Sequence, residues 1–195
     1  MKKLLAINCL IVFFTLNFTP HVSYKDGDVI FQTTLGPTGK AIQLATHSKY
    51  NHCGILFFED NEWMVYEAIQ PVKKTTLKEF EARGKGTVKR LAGKQLNKED
   101  IIKLKSLFKT YEHKNYDEAF NWSDDRIYCS ELVYKLYNNA LKIELCKPRK
   151  LSDFDLNNPL VKSKLNEKYG NNIPLNEPMV SPEDIFRSGL LTAIP

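Results

Sequence analysis

The stretch "DDRIYCSELVYKLYNNAL", residues 124–141, passes from two acids into an apolar rhythm with a cysteine at the junction. Counted from Cys129, the apolar positions are Leu132, Val133, Leu136, Tyr137 and Ala140, the spacing of one helix face. Cys129 therefore opens the buried stripe of a helix and stands in its first turn. Unpaired backbone N–H groups and the positive end of the helix dipole stabilise an anion there, so a thiol in that place loses its proton more readily. A free cysteine in core phase also serves as a small hydrophobe. The chemical reading needs a basic partner.

Four histidines are available: His21, His47, His52 and His113. His21 lies beside the N-terminal apolar segment, His47 in the polar break "HSKYN", and His113 at the end of a lysine-rich helix, all exposed settings. His52 opens "HCGILFF", a strand whose alternation puts His52, Gly54 and Leu56 on one face and Cys53, Ile55 and Phe57 on the other. Glycine next to the histidine on its own face leaves room for another group. Across a hairpin turning near Glu59 and Asp60, "VYEA" holds Glu67 in an otherwise apolar and aromatic run, where a carboxylate needs a partner. The loop length sets residues 52 and 67 almost opposite each other. An imidazole held by a carboxylate has its tautomer and orientation fixed, as an activated nucleophile requires.

The remaining chain frames this site. It has 195 residues, 43% hydrophobic and 26% charged, enough for one core. Lys2 and Lys3 precede "LLAINCLIVFFTLNF", an apolar run too short and too interrupted to span a membrane, which predicts a signal peptide over residues 1–23 and a single domain over 24–195. Export across the inner membrane, to the periplasm, is the expectation. No lipid anchor is expected at Cys9, which lacks small residues before it. Without the leader the formal charge falls from +5 to +3, and the lysines are not clustered with aromatics, so a nucleic-acid surface is not indicated.

Strands are predicted at "GDVIFQTT", "HCGILFF", "WMVYEAI" and "TVKRLA", and helices at "TGKAIQLATHS", "TTLKEFEARG", "NKEDIIKLKSLFKTYE", "NNPLVKSKLNEKYG" and "SPEDIFRS". Asn97 caps the third of these helices, Ile101, Leu104, Phe108 and Tyr111 form its buried stripe, and its lysines face solvent. Strands and a hairpin followed by helices indicate an α+β fold with an antiparallel sheet.

Metal and phosphate chemistry are not indicated. His52 and Cys53 point to opposite faces of one strand, and neither C-x-x-C nor H-x-x-x-H spacing occurs. "LGPTGKA" imitates a phosphate loop but has short glycine spacing and an alanine after the lysine. No cofactor is expected. Cys53 reads as a packed core residue and Cys146 as a loop residue in "ELCKPRK"; a disulfide between them stays open.

Taken together, "GDVIFQ", "AIQLATHSKYNHCGI", "VYEAIQPVK", "FNWSDDRIYCSELVYKLYNNAL", "FDLNNPLV" and "VSPEDIF" resemble the YiiX-like family, the circularly permuted branch of the NlpC-type papain-like cysteine hydrolases. The resemblance covers about residues 26–188, with His52 and Glu67 ahead of Cys129 as in the permuted branch. It implies a permuted papain-like fold with the antiparallel sheet packed against the cysteine helix. It further implies Cys129 as nucleophile, His52 as base, Glu67 as orienting acid and Tyr116 as an oxyanion-hole tyrosine, with packing as the alternative role for Tyr116.

The functional expectation is a cell-envelope cysteine hydrolase, of amidase or peptidase type, that cleaves an amide or related acyl bond through a thioester. Two alternatives stand beside it: a lipid- or peptide-binding envelope protein with a vestigial site, and an acyl-lipid hydrolase or transferase. The expected partner is a peptide or acylated lipid-like molecule of the envelope. Phe31, Phe57, Trp63 and Trp122 are aromatics that could line an acyl pocket.

Overall fold

The computed structural model describes residues 23–194, so the predicted leader, with Cys9 and His21, lies outside the described residues apart from Ser23. Six antiparallel strands form the central sheet: β1 (Val29–Gln32), β2 (His52–Glu59), β3 (Glu62–Glu67), β4 (Lys73–Thr76), β5 (Gly86–Leu91) and β10 (Leu191–Ala193). Their order is β10-β5-β1-β2-β3-β4. Two small ladders lie outside it, parallel β6 (Asn115–Tyr116) with β7 (Arg126–Ile127), and antiparallel β8 (Arg149–Lys150) with β9 (Pro178–Met179).

The helices are α1 (Pro37–Thr46), α2 (Leu77–Glu81), α3 (Lys98–Tyr111), α4 (Cys129–Lys135), α5 (Pro159–Tyr169) and α6 (Pro182–Phe186). Local chemistry sets their ends. Thr76, Asn97 and Ser181 each accept a backbone N–H from the third helical residue and receive a carboxylate in return on their own N–H, which satisfies two otherwise orphaned donors. Pro sits in the first turn of α1, α5 and α6, where its missing N–H costs nothing.

Alternation along the strands divides the protein into two layers. Val29, Phe31, Cys53, Ile55, Phe57 and Tyr66 face α4 and α3, where they meet Leu132, Val133, Leu136, Leu104 and Phe108. Ile30, Leu56, Val65 and Val88 face the other way, onto Phe80 of α2. The predicted α3 stripe holds at Leu104, Phe108 and Tyr111, while Ile101 is half-buried.

Every residue of α4 is buried, and the helix continues as a π-helical turn through Leu136–Ala140. This is why its sequence tolerates so few charges: Glu131 and Lys135, one turn apart, pair at 2.8 Å. The α+β reading and the antiparallel sheet are as expected from the sequence. Among the described residues no helix is long and apolar enough to cross a membrane.

Candidate functional site

Cys129 is the first residue of α4, and β2 brings His52 to it from the sheet. The β2–β3 hairpin turns through Asp60 and Asn61, both at positive φ, as a two-residue turn between twisted strands requires. This fixes the register at Ile55 against Tyr66 and places Glu67 opposite Gly54. The expected pairing of residues 52 and 67 is therefore corrected by two positions. Glu67 reaches His52 diagonally on the same face, with Oε2 2.5 Å from Nε2.

Gly54 makes that diagonal possible. A Cβ there would lie 2.6 Å from Val65 Cγ1, 3.0 Å from the Tyr66 carbonyl oxygen and 3.3 Å from Glu67 Cβ, so a side chain would clash with Val65 and crowd Glu67. Thr75 Oγ1 and Arg83 Nη2 each donate to Glu67 Oε1 at 2.5 Å. The carboxylate is thus fully engaged and, although its burial opposes ionisation, the bond from His52 leads the interactions that hold it below its ordinary value. His52 stacks on Phe80 at 5.6 Å, which sets the ring plane.

His52 is held by Glu67 through Nε2, and Cys129 is the neighbour that acts most strongly to raise it. Cys53, His52 and Tyr116 are the groups coupled to the ionisation of the Cys129 thiol. The bond from Cys53 is the largest influence on Cys129, and with the His52 charge it outweighs burial to hold the thiol well below its usual value. Burial alone would lower His52, yet the Cys129 charge and hydrogen bond, with Glu67 behind them, raise it to about 9. Burial first, and then the neighbouring Cys129 charge, push Tyr116 well up; burial and the bond to Cys129 do the same for Cys53, so both keep their protons. The opposite shifts of His52 and Cys129 favour an imidazolium beside a thiolate, with Cys53 and Tyr116 neutral.

The structure brings all four predicted residues together. Tyr116, in β6, is coupled to Cys129, whose charge helps push its hydroxyl up. Cys53 sits on the α4 side of β2 as its alternation required, but its coupling to Cys129 went unforeseen. Cys53, Cys129 and Cys146 are all free thiols, so Cys53 and Cys146 are not bridged.

Cys129 also lines a narrow apolar groove open to solvent. Ala41, Ile42 and Ala45 of α1 form one wall and Val161 and Leu165 of α5 another, with Phe120, Tyr128 and Met179 nearby. Lys164 and Lys168 stand at its edge. None of the four aromatics considered from the sequence lies there. Phe31 and Phe57 are fully buried in the core, Trp63 packs on Tyr24, and Trp122 packs on Tyr134.

Residues 23–195 match the family described as permuted papain-like amidase enzyme, YaeF/YiiX, C92 family. The chain belongs to this YiiX-like family. It is 46% identical over 173 residues to the uncharacterized protein YiiX of Escherichia coli strain K12, covering 87% of this chain and 85% of that one. A crystal structure described as metalloprotein yiiX from Escherichia coli O157:H7 superposes with a TM-score of 0.84 at 48% identity, covering 88% of this chain and 96% of that one. The permuted papain-like fold is thereby shared.

The expected activity is corrected by the same comparison. The solved YiiX relative is described as a metalloprotein and not as a cysteine hydrolase, so the cysteine amidase or peptidase assignment does not carry to this chain. What stands is a member of the YiiX-like family without an assigned reaction. A metal centre does not fit these side chains either. Among the described residues no three His, Cys, Asp or Glu groups are placed to hold one ion, and His52 Nε2 and both Glu67 oxygens are already hydrogen-bonded.

Proposed function

We propose that this protein is an acyl-lipid-binding protein of the cell envelope, with the acyl chain in the groove between α1 and α5 and its polar end at Cys129. The observation that supports the reading is the composition of that groove, almost wholly apolar along its length with Cys129 and Ser130 in its wall. Each methylene buried there contributes about 0.8 kcal/mol before the costs of ordering the chain. Lys164 is paired with Glu167 and Lys168 donates to the Glu118 carbonyl, so the apolar wall and not a free cation supports the reading. The leader-like N-terminus, Lys2 and Lys3 before an apolar run, supports a periplasmic location.

A second reading, acyl transfer through Cys129, is favoured by one further observation: the residue that lines the groove is also the one held as a thiolate. A lipid carbonyl resting against the sulfur would be placed for thioester formation.

The test is titration of purified protein with a fluorescent long-chain fatty acid, compared with the variant Ile42→Trp, which fills the groove from α1. Saturable binding weakened by about tenfold or more in the variant, roughly 1.4 kcal/mol, is expected. Equal affinity in both proteins would overturn the assignment. A mass increase at Cys129 equal to the acyl group, after incubation with an acyl-lipid, would select the second reading.

A further inference from the structure

Leu35 is 96% exposed, far beyond the next large apolar side chain among the described residues, Ile102 at 53%. A single exposed leucine is ordinary on a protein surface. This one is set apart by the loop that carries it, residues 33–36 between β1 and α1, which is held fast. Asn51, itself buried, accepts from Thr34 N at 2.8 Å and from Thr34 Oγ1 at 3.0 Å, and its Nδ2 donates to the Thr34 carbonyl at 2.9 Å. Thr33 Oγ1 donates to the Lys49 carbonyl, and the Thr33 carbonyl presses so near Gly84 that a Cβ there would come within 2.2 Å of it.

The same contacts bring lysines to the loop. Lys49 and Gly84 touch Thr33, Lys85 follows Gly84, and the Lys40 N–H donates to the Gly36 carbonyl. Lys40, Lys49 and Lys85 are all exposed, and among the described residues none of them is in an ion pair. Lys49 Nζ lies 5.0 Å over the Tyr50 ring, which leaves its charge uncompensated. Acids at this end are engaged or turned away: Glu183 meets Ser48 and Arg187, and Glu81 lies over Gly86 on the α2 side of the sheet. The first turn of α1 holds no acid.

We propose that this loop and its three lysines form a docking surface for an anionic phospholipid bilayer, with Leu35 entering the acyl boundary and the lysines lying among the headgroups. A lone apolar tip ringed by cations lacks the contiguous apolar centre of a protein interface and matches a charged membrane surface. Because Asn51 fixes the loop, little order has to be gained on docking. The consequence lies three residues on: Thr38, in the first turn of α1, lines the same groove as Cys129. A docked tip therefore brings one end of that groove to the bilayer, where acyl chains are. The docking goes beyond the acyl-binding reading, and the passage of a chain from bilayer to groove rests on it.

The test follows the fluorescence of Leu35→Trp in the full chain, with wild type subtracting the emission of Trp63 and Trp122. Vesicles of phosphatidylcholine mixed with phosphatidylglycerol are expected to shift the emission at position 35 to the blue, and pure phosphatidylcholine is not. Reversing Lys40, Lys49 and Lys85 to glutamate should abolish the shift, and raised salt should weaken it. In Leu35→Asp, uptake of a fluorescent fatty acid from the mixed vesicles should slow roughly tenfold, while affinity for the free fatty acid stays that of wild type. Emission at position 35 that ignores anionic vesicles, or that shifts equally with the lysines reversed, would overturn the docking. So would a blue shift that grows with protein concentration alone, which would assign the tip to a second copy of the chain. A wild type that binds no free fatty acid while position 35 still responds to vesicles would remove the acyl-binding reading and retain the docking.

Discussion

Glu67 lies opposite Gly54 in the hairpin, and it holds His52 across the diagonal, 2.5 Å from the ring. The empty side of Gly54 is what lets two large groups on one face of neighbouring strands close on each other.

Replacing Gly54 by valine is expected to displace Val65 and Glu67 and to destabilise the fold by about 1–3 kcal/mol, as overpacking of a close-packed site generally does. Denaturant unfolding measures the loss. An unchanged midpoint would show that the strands spread apart at no cost.

Glu67→Gln keeps the shape and removes the charge. The His52 value should fall from about 9, because the ring loses a charged acceptor, and alkylation of Cys129 at neutral pH should slow by roughly 3- to 10-fold. Imidazole NMR titration checks the first consequence and iodoacetamide labelling the second.

The ion pair also leaves a signature in stability against pH. His52 is raised from 6.5, so its contribution is complete below 6.5 and is lost as the pH climbs through about 9. Cys129 is lowered from 9.0, so its contribution is present above that value and is lost as the pH falls through its folded value. Between 6.5 and 9 the two slopes oppose each other, and the pair takes up no net proton on folding. Relative to a Cys129→Ala, His52→Ala double variant, stability should rise with pH up to about 6.5 and then stay level to about 9. A decline beginning at 6.5 would mean that His52 is charged while the thiol is not.

A separate acid-limb effect belongs to Glu59. Though burial opposes it, hydrogen bonds from Tyr66, Lys105 and Lys74 lower its carboxyl to about 2. Its contribution is present above the ordinary value of 4.5 and is lost as the pH falls through about 2. Glu59→Gln should flatten that limb in acid unfolding curves while leaving the behaviour above pH 6.5 unchanged.

Phe108 supports the site from behind. It is fully buried and packs on Tyr66 at 4.3 Å, so Phe108→Ala should cost about 3–5 kcal/mol, read from chemical denaturation.

Much of this arrangement was legible in the sequence because it rests on periodicity. The 3.6-residue rhythm after Cys129 placed it at the head of a buried helix, and the two-residue alternation of "HCGILFF" separated His52 from Cys53 correctly. Register was harder. A two-residue turn at Asp60 and Asn61 and a slightly longer turn shift the partner of His52 along the strand, and loop length alone does not separate them. Contacts between distant segments were not legible at all. Thr75 and Arg83 reach Glu67 only because β4 and α2 fold back beside β3, and the groove exists only because α5 packs on α1. Cys53 and Cys129 both carry core phase, which puts them in one core cluster and no more. What a sequence pattern does not reveal is which core residues meet.

The central claim is a Cys129 thiolate beside His52 at the end of a lipid-binding groove, and one labelling experiment addresses it directly. The rate of Cys129 alkylation by iodoacetamide is measured from about pH 4 to 9 in wild type and His52→Ala, with and without a saturating long-chain fatty acid. Rapid labelling well below pH 7, lost in His52→Ala and suppressed by the fatty acid, is the expected result. Labelling that rises only near the ordinary thiol value of about 8.5, equal in both proteins and indifferent to the fatty acid, would contradict it.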